Sequence, residues 1–281
     1  MPQFFAPAKL NLFLHVLGRR VDGYHELESL FTLIDFGDAL DIDARSDGVI
    51  RRVNGVENIP EDADLAIRAA RGLQVISNTK LGADIRVRKS TPKGAGLGGG
   101  SSDAATVLLA LDRLWNLNLS RARLAEIGLG LGADVPFFVG GQTALAAGVG
   151  ERLTPVQIPR WWYVVVTPDV HVPTPFVFKH PNLTRNTPSL KIADFSAAIL
   201  ASCKNDLQAV VLKEFPAVAA ALAALSVVSK KSLFGARMTG SGASVFAAFD
   251  TEKKAQEAFN QLPPGITGFV AQGLDKHPDF V

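Results

Sequence analysis

The chain has 281 residues, of which 47% are hydrophobic and 20% are charged, and its formal net charge at pH 7 is +2. This composition is typical of a globular protein with a sizeable core, and the length predicts one large or two moderate domains. The 29 Lys and Arg residues form no basic block, so no nucleic-acid partner is expected, and the longest apolar stretch, 215–228, is too short to span a bilayer.

The first predicted element is a strand over residues 8–16, in which the side chains alternate between two faces. Lys9 and Asn11 point the same way on this strand. A solvated strand face is the ordinary interpretation of such a pair, although a strand end after Pro7 also suits the binding of a polar group. The turn at Asp22-Gly23 then leaves the rings of the next two residues, Tyr24 and His25, available in a loop.

Three further strands are predicted over 30–35, 40–44 and 49–53, and the last two are joined as a hairpin across 46–48. A helix over 62–76 follows, with acidic residues at its positive end. A strand over 85–89 leads into a glycine-rich stretch. These elements predict a mixed α/β layer for this half of the chain.

The glycine-rich stretch runs from Pro92 to Ala105 and contains five glycines. It leads into a predicted helix over 106–115 with an apolar stripe. Glycines allow positive φ and close approach of a ligand, and the first turn of a helix offers free N–H groups at the positive end of its dipole. The stretch therefore predicts an anion site, most often for phosphate.

Neither of the two better-known phosphate loops fits this stretch. Gly94, Gly96 and Gly99 match a dinucleotide pattern, but a turn and a second helix over 120–131 follow where that fold needs a strand. The Walker pattern fails because Gly100 stands in place of its lysine. A third kind of loop remains, in which main-chain N–H groups and the serines at 101 and 102 hold phosphates. Helix capping by one of these serines is the alternative.

The rest of the chain predicts a second layer. Asp134 stands among apolar residues over 131–138, where a helix cap or turn is the ordinary interpretation. A boundary is predicted at 156–160, then a strand at 162–166 and an irregular loop over 171–189 anchored by Phe176 and Phe178. Two or three helices between Ile192 and Val228 follow. Strands at 236–239, 244–249 and 268–271, with a helix at 251–262, complete a split βαβ layer of ferredoxin-like type.

Cysteine and histidine usage indicate neither a disulfide nor a structural metal. Cys203 is the single cysteine, and the five histidines show no ligand spacing. The first five residues show no recognisable secretory or organelle-targeting signal. We expect a cytoplasmic protein that binds neither nucleic acid nor membrane, and the sequence does not indicate its oligomeric state.

Three motifs occur in an order that resembles the GHMP kinase superfamily: residues 7–12, the glycine-serine loop, and residues 239–243. The stretches 22–25, 131–136 and 173–175 add to the resemblance, which covers nearly the whole chain. It implies an α+β fold of two domains, 1–159 and 160–281. The first is a ribosomal-protein-S5-domain-2-like layer that carries the ATP loop, and the second is the ferredoxin-like layer.

The resemblance also implies transfer of phosphate from ATP to the hydroxyl of a small molecule that carries a cytidine diphosphate group. Asp134 is then the base that accepts the hydroxyl proton, and Lys9 steadies the charge on the reacting oxygens. Mg²⁺ is expected from the chemistry of ATP, although no residue is identified as a dedicated ligand.

The resemblance assigns the remaining roles residue by residue. The loop wraps the phosphates, Lys89 lies near the adenine, Tyr24 and Phe178 sandwich the cytosine, and His25 with Asn11 supplies hydrogen bonds. The expected ATP-binding residues are Lys89, Pro92, Lys93, Gly94, Ala95, Gly96, Leu97, Gly98, Gly99, Gly100, Ser101 and Ser102. The expected substrate-binding residues are Asn11, Tyr24, His25, Thr174, Pro175, Phe178, Gly240 and Ser241.

Two alternatives stay open at this point. Another GHMP kinase, acting on mevalonate or homoserine, keeps the glycine loop but does not need the aromatic residues that serve a base. A nucleotide-binding regulator on the same fold needs no base beside a lysine. One departure from the family pattern is Asp64, where asparagine is expected.

Overall fold

The computed structural model describes residues 2–54, 60–190 and 195–280. Within these ranges the strands are β1 (Gln3–Arg19), β2 (His25–Arg45), β3 (Ile50–Arg52), β4 (Gly82–Arg88), β5 (Ala144–Gly148), β6 (Arg152–Pro155), β7 (Trp162–Val166), β8 (Arg237–Met238), β9 (Val245–Phe249) and β10 (Gly268–Leu274). The helices are α1 (Leu65–Ser77), α2 (Gly99–Leu114), α3 (Arg121–Leu129), α4 (Val135–Gly140), α5 (Thr174–Lys179), α6 (Ala197–Ser202), α7 (Gln208–Glu214), α8 (Pro216–Val228) and α9 (Glu252–Asn260).

One sheet runs through both halves of the chain. Its main path is β3-β4-β2-β10-β7-β9-β8, and β1 and β5 also pair with β2. The four strands of the second half lie in the order β10-β7-β9-β8, all antiparallel, with α8 against β9 and α9 against β7 and β10. This is the strand order of a split βαβ layer, so the predicted ferredoxin-like layer is confirmed.

Several predicted elements differ from the observed ones. The strands expected at 30–35 and 40–44 are parts of the single long strand β2, which pairs with β1 along most of its length. The hairpin across 46–48 is wrong, because β3 pairs in parallel with β4 rather than with β2. The helix α1 lies between β3 and β4 in the chain, and such a crossover allows parallel pairing.

Two strands, β5 and β6, and two short helices, α4 and α5, were not predicted as elements. The small residues of β5 have low β-propensity, but β5 is held between β2 and β6. The expected irregular loop over 171–189 contains α5. The helix after the glycine stretch begins at Gly99 rather than at 106, and the predicted start of the later helices at Ile192 lies outside the described residues.

The C-terminal segment 275–280 packs against the first half of the chain. The Phe280 ring stacks on Phe4 with 5.6 Å between ring centroids, and the His277 N–H donates to Gly141 O at 2.7 Å. Strand β10, just before this segment, pairs with β2. Residues after 160 therefore contact the first half as well as the second, and the predicted domain boundary between 159 and 160 stays a prediction.

Three clusters of apolar side chains form the core. One lies under α1 and α2 in the first half, and one lies under α8 and α9 in the second. The third combines residues of β1 and β2 with residues of β7 and β9, such as Leu10, Ile34, Tyr163 and Phe246, all fully buried. The two halves are therefore joined by shared core as well as by the sheet.

In the described ranges no single helix is long and apolar enough to cross a bilayer, although α7 and α8 together, bent by 116°, have the required length and composition.

Replacing Phe246 by alanine tests the shared core. The ring is fully buried and lies edge-on to Tyr163 and Phe234. Phe246→Ala is expected to lower the free energy of unfolding by about 3–5 kcal/mol, with one cooperative transition, in urea titrations followed by circular dichroism. The exposed α1 residue Val75 is the control, since Val75→Ala is expected to change stability by less than about 0.5 kcal/mol. Two separate unfolding transitions in the wild-type chain would contradict the shared core.

Candidate active site

The glycine loop alternates residues of positive and negative φ. Gly94, Gly96 and Gly98 have φ of +65°, +76° and +72°, and α2 begins at the next residue, Gly99. Such alternation turns successive N–H groups towards one side, next to the positive end of the helix. The loop therefore has the geometry of an anion site, as the sequence predicts.

Backbone from both halves of the chain closes in on this loop. A Cβ built on Gly96 would stand 2.4 Å from Thr239 O and 3.0 Å from Gly242 O. Ser244 N–H donates to Ala95 O at 3.1 Å, and Lys9 N–H donates to Leu97 O at 3.0 Å. No side chain fits at Gly96, so this position requires glycine for space as well as for φ.

A cavity of about 440 Å³ lies on one side of the loop. The expected ATP residues that line it are Lys89, Pro92, Lys93, Gly94, Ala95, Gly96, Leu97, Gly98, Gly99, Gly100 and Ser101. Ser102 is positioned differently: it is fully buried, its hydroxyl donates to Pro7 O at 2.7 Å, and its N–H donates to Gly98 O. Both of its donors are used inside the protein, so it has none to offer a phosphate. Neither serine caps α2, whose N-cap is Gly98.

Lys89 lies between two buried carboxylates that the sequence did not single out. Its Nζ donates to Asp38 and, at 2.7 Å, to Asp103 Oδ2. Burial alone lowers the pKa of Lys89, but the charges of Asp103 and Asp38 outweigh burial and raise it. Burial raises the pKa of the Asp103 carboxyl, and nearby Asp38 adds to the rise while Lys89 opposes it.

Asp38 also holds the start of the glycine loop. Its Oδ1 accepts from the N–H groups of Ser90 and Thr91 at 2.6 and 2.8 Å. The partners of the Asp38 side chain lie in the segment directly after β4, more than 50 residues along the chain, so no local sequence pattern predicts its role. Asp103 follows the serines of the loop, which was its only signal.

A second cavity, of about 300 Å³, lies on the other side of the loop. Its lining includes the predicted residues Lys9, Asn11, Asp134, Thr174, Phe178, Gly240 and Ser241, together with Gly94, Gly96 and Gly98. The three loop glycines thus border both cavities. Lys9 is 3% exposed and Asn11 is buried, so the solvated-face interpretation of this strand is wrong.

Lys9 and Asp134 lie next to each other in the wall of the second cavity. Lys9 Nζ lies 3.5 Å from Asp134 Oδ2 and donates to Asn11 Oδ1 at 2.5 Å. Asp134 is the residue before α4, but its side chain makes no capping hydrogen bond, and 34% of that side chain is exposed. Asp134 therefore occupies the turn and N-cap position that the sequence predicts, but its side chain does not cap the helix, and its carboxylate is available to a ligand in the cavity.

The three residues expected around a base are only partly brought together. Phe178 lines the second cavity, and its ring centroid lies 5.2 Å from that of His25, which is buried. Tyr24 is 65% exposed in the turn and does not line the cavity. Pro175 lies in the first turn of α5 beside Thr174, whose hydroxyl is 2.7 Å from that of Ser241.

Asp64, the departure from the family pattern, lines the ATP-side cavity. Its Oδ1 accepts from Ala66 N–H at 3.0 Å and so caps α1, and its Oδ2 accepts from Arg52 at 3.2 Å. An aspartate here is compensated by the arginine on β3, which a neutral asparagine would not require.

Family models match both halves of the chain: the GHMP kinases N terminal domain over residues 64–142 and the GHMP kinases C terminal domain over 186–264. A protein of Thiobacillus denitrificans named 4-diphosphocytidyl-2-C-methyl-D-erythritol kinase is 56% identical over 280 residues, 99% of this chain and 98% of its own length. The chain belongs to the GHMP kinases. The resemblance found in the sequence is thereby confirmed, and this GHMP kinase uses ATP as its co-substrate.

Further relatives agree with this assignment. A protein of the same name from Cupriavidus metallidurans is 52% identical over 97% of this GHMP kinase and 93% of its own length. A solved structure titled 4-(cytidine 5'-diphospho)-2C-methyl-D-erythritol kinase superposes with a TM-score of 0.83 at 34% identity, covering 97% of this chain and 99% of that one. A homoserine kinase from Cytophaga hutchinsonii, at 17% identity and a TM-score of 0.65, shares the fold.

Substituting Gly96 tests the packing of the loop. Gly96→Ala forces a side chain to positive φ at a cost of about 1–2 kcal/mol, and the neighbouring atoms are backbone that cannot yield. The loop must therefore shift, and the ATP dissociation constant is expected to rise about tenfold or more in isothermal titration calorimetry. Gly72, on α1, has open space around it and serves as the control. Gly72→Ala is expected to leave ATP affinity unchanged and to stabilise the helix by roughly 0.5–1 kcal/mol. Wild-type affinity in Gly96→Ala would contradict the assigned loop.

Proposed function

We propose that this kinase transfers the γ-phosphate of ATP to the 2-hydroxyl of 4-diphosphocytidyl-2-C-methyl-D-erythritol, giving its 2-phosphate in the non-mevalonate pathway to isopentenyl diphosphate. The identity of the acceptor is carried by the full-length relatives at 56% and 52% identity that bear the name of this kinase. The homoserine and mevalonate kinases match at 17% and 14% identity and support the fold alone.

The proposed catalytic pair is Asp134 and Lys9. The acceptor hydroxyl gives its proton to the Asp134 carboxylate, and its oxygen attacks the γ-phosphorus as the bond to the β,γ-bridging oxygen breaks and ADP leaves. Lys9 lies 3.5 Å from that carboxylate and borders the same cavity as the loop glycines. Its positive charge therefore stabilises the negative charge on the oxygens of the phosphoryl group during transfer. Asn11 accepts from Lys9 Nζ and restricts its position.

The two cavities on either side of the loop support separate places for donor and acceptor. We assign ATP to the cavity with Lys89 and the acceptor to the cavity with Asp134, so that the γ-phosphate reaches the loop glycines that border both. Phe178 offers an aromatic face in the acceptor cavity and His25 lies against it, which suits a flat base such as cytosine. Tyr24, in its exposed turn, is assigned to cover the other face of the base.

Mg²⁺ fits this site as an ion that arrives with ATP. In the part of the chain that the structure describes, no group of three His, Cys, Asp or Glu could hold a metal. Mg²⁺ keeps several waters and binds phosphates with one or two protein oxygens. The Ser101 hydroxyl, which lines the ATP-side cavity and lies beside Gly132, is the oxygen donor we assign to it. When bound, the ion neutralises charge on the phosphates.

A substrate panel tests the acceptor. With ATP and Mg²⁺, ADP release is expected with 4-diphosphocytidyl-2-C-methyl-D-erythritol and not with mevalonate or homoserine, measured in a coupled spectrophotometric assay. ADP release with mevalonate or homoserine alone would support the kinase activity but contradict the proposed cytidine site. No ADP release with any of the three compounds, together with measurable ATP binding, would favour a nucleotide-binding regulator without catalytic activity.

Removing the proposed base tests the mechanism. Asp134→Asn keeps the shape of the side chain but removes the proton acceptor, and kcat is expected to fall about a hundredfold or more while the ATP dissociation constant stays unchanged. Asp250 is an exposed carboxylate paired with Lys254 before α9, and Asp250→Asn is the matched control with wild-type turnover. Near-normal kcat in Asp134→Asn would reject the assignment.

A further inference from the structure

Arg185 connects Phe178, which lines the acceptor cavity, with His25, whose ring packs against that of Phe178. Its Nε donates to His25 Nε2 at 3.0 Å, and its Nη2 donates to Phe178 O at 3.0 Å and to His180 O at 2.8 Å. Its Nη1 donates to Leu183 O at 3.1 Å. A guanidinium is planar and rigid, so these bonds fix the His25 ring relative to the segment that carries Phe178.

This arginine is held without an acidic partner. Across residues 2–54, 60–190 and 195–280 the structure shows no ion pair between Arg185 and a carboxylate. A half-buried cation is ordinarily matched by an acid, because removing its charge from water is costly. Here the acceptors of Arg185 are carbonyl oxygens and one imidazole nitrogen instead of a carboxylate. We therefore explain the arrangement by its effect on the protonation and orientation of the imidazole.

The hydrogen bond from Arg185 selects one form of His25. A nitrogen that accepts an N–H has its lone pair free, so Nε2 carries no proton and Nδ1 carries it. Burial lowers the pKa of His25, and the charges of Arg185 and Arg19 lower it further, which keeps the ring neutral at pH 7. In the described part of the chain no group bonds to His25 Nδ1, and this atom is not among the fully buried unpartnered ones.

We propose that Arg185 is a positioning residue for base recognition: it holds His25 as the Nδ1–H tautomer and ties it to the Phe178 segment, so that Nδ1–H is presented as a donor to an acceptor atom of the base. This inference rests on the proposed function for the identity of that ligand. It does not rest on it for the state of the imidazole, which is a property of the ligand-free protein. No sequence pattern predicts this role, because Arg185 stands in an irregular segment without periodicity.

The imidazole nitrogens of His25 report the tautomer directly. In long-range ¹H–¹⁵N correlation spectra of the ligand-free enzyme at pH 7.5, His25 is expected as a neutral ring protonated at Nδ1, with its signals assigned by their loss in His25→Gln. In Arg185→Met the Nε2–H form is expected to appear. The KM for the cytidine substrate is expected to rise about tenfold or more, while the KM for ATP changes by less than about twofold.

Two further variants keep the test decisive. Arg185→Lys retains a cation but cannot bridge the same acceptors, so it is expected to show the same change in His25 even where Arg185→Met does not fold. Arg123, paired with Glu126 on the surface of α3, gives the control Arg123→Met with wild-type spectra and KM values. Unchanged His25 signals in both Arg185 variants, or equal rises in the two KM values, would overturn the proposal. Failure of the wild-type enzyme to use the cytidine compound would reject the proposed function and leave the spectral test of the tautomer intact.

Discussion

The placement of the glycine loop between two backbone segments is the constraint on which the site depends. Thr239 O and Gly242 O approach Gly96 from the second half, and Lys9 N–H bonds to Leu97 O from the first. These are contacts of main chain with main chain, so a side-chain rotation cannot relieve them. Because Lys9 is both a partner of the loop and a neighbour of Asp134, the same contact sets the distance between the phosphate-binding glycines and the proposed base.

The two lysines of the site, Lys9 and Lys89, have different surroundings, and this suits different tasks. Lys89 lies between two carboxylates, which neutralise its charge and leave it a fixed support beneath the ATP-side cavity. Lys9 has a neutral amide at 2.5 Å and one carboxylate at 3.5 Å, with the ring of Phe31 5.1 Å from its Nζ. Its charge is less fully compensated, so it has more to offer a phosphoryl group.

The sequence predicted the parts of the site that follow local rules. Alternation along the first strand put Lys9 and Asn11 on one face, and the glycine spacing indicated the loop and the helix after it. It did not predict that this strand face is buried, because burial is decided by the second half of the chain. Asp38 and Arg185 were missed for a related reason: each acts on atoms far away in the sequence. The hairpin before β3 was predicted wrongly because turn residues report a change of direction and not the identity of the partner strand.

The contacts of β10 and of the segment 275–280 with the first half of the chain affect how the protein is made. A ribosome releases β2 and the residues around Phe4 long before it releases their partners on β10 and Phe280. During that interval Leu33 and Ile34 of β2 lack their partners on β10 and the Phe4 ring lacks Phe280, so unpaired backbone and apolar surface stay exposed, which favours aggregation. The first half of the chain therefore completes its sheet and core only after β10 and Phe280 have been synthesised, although its own sequence comes first.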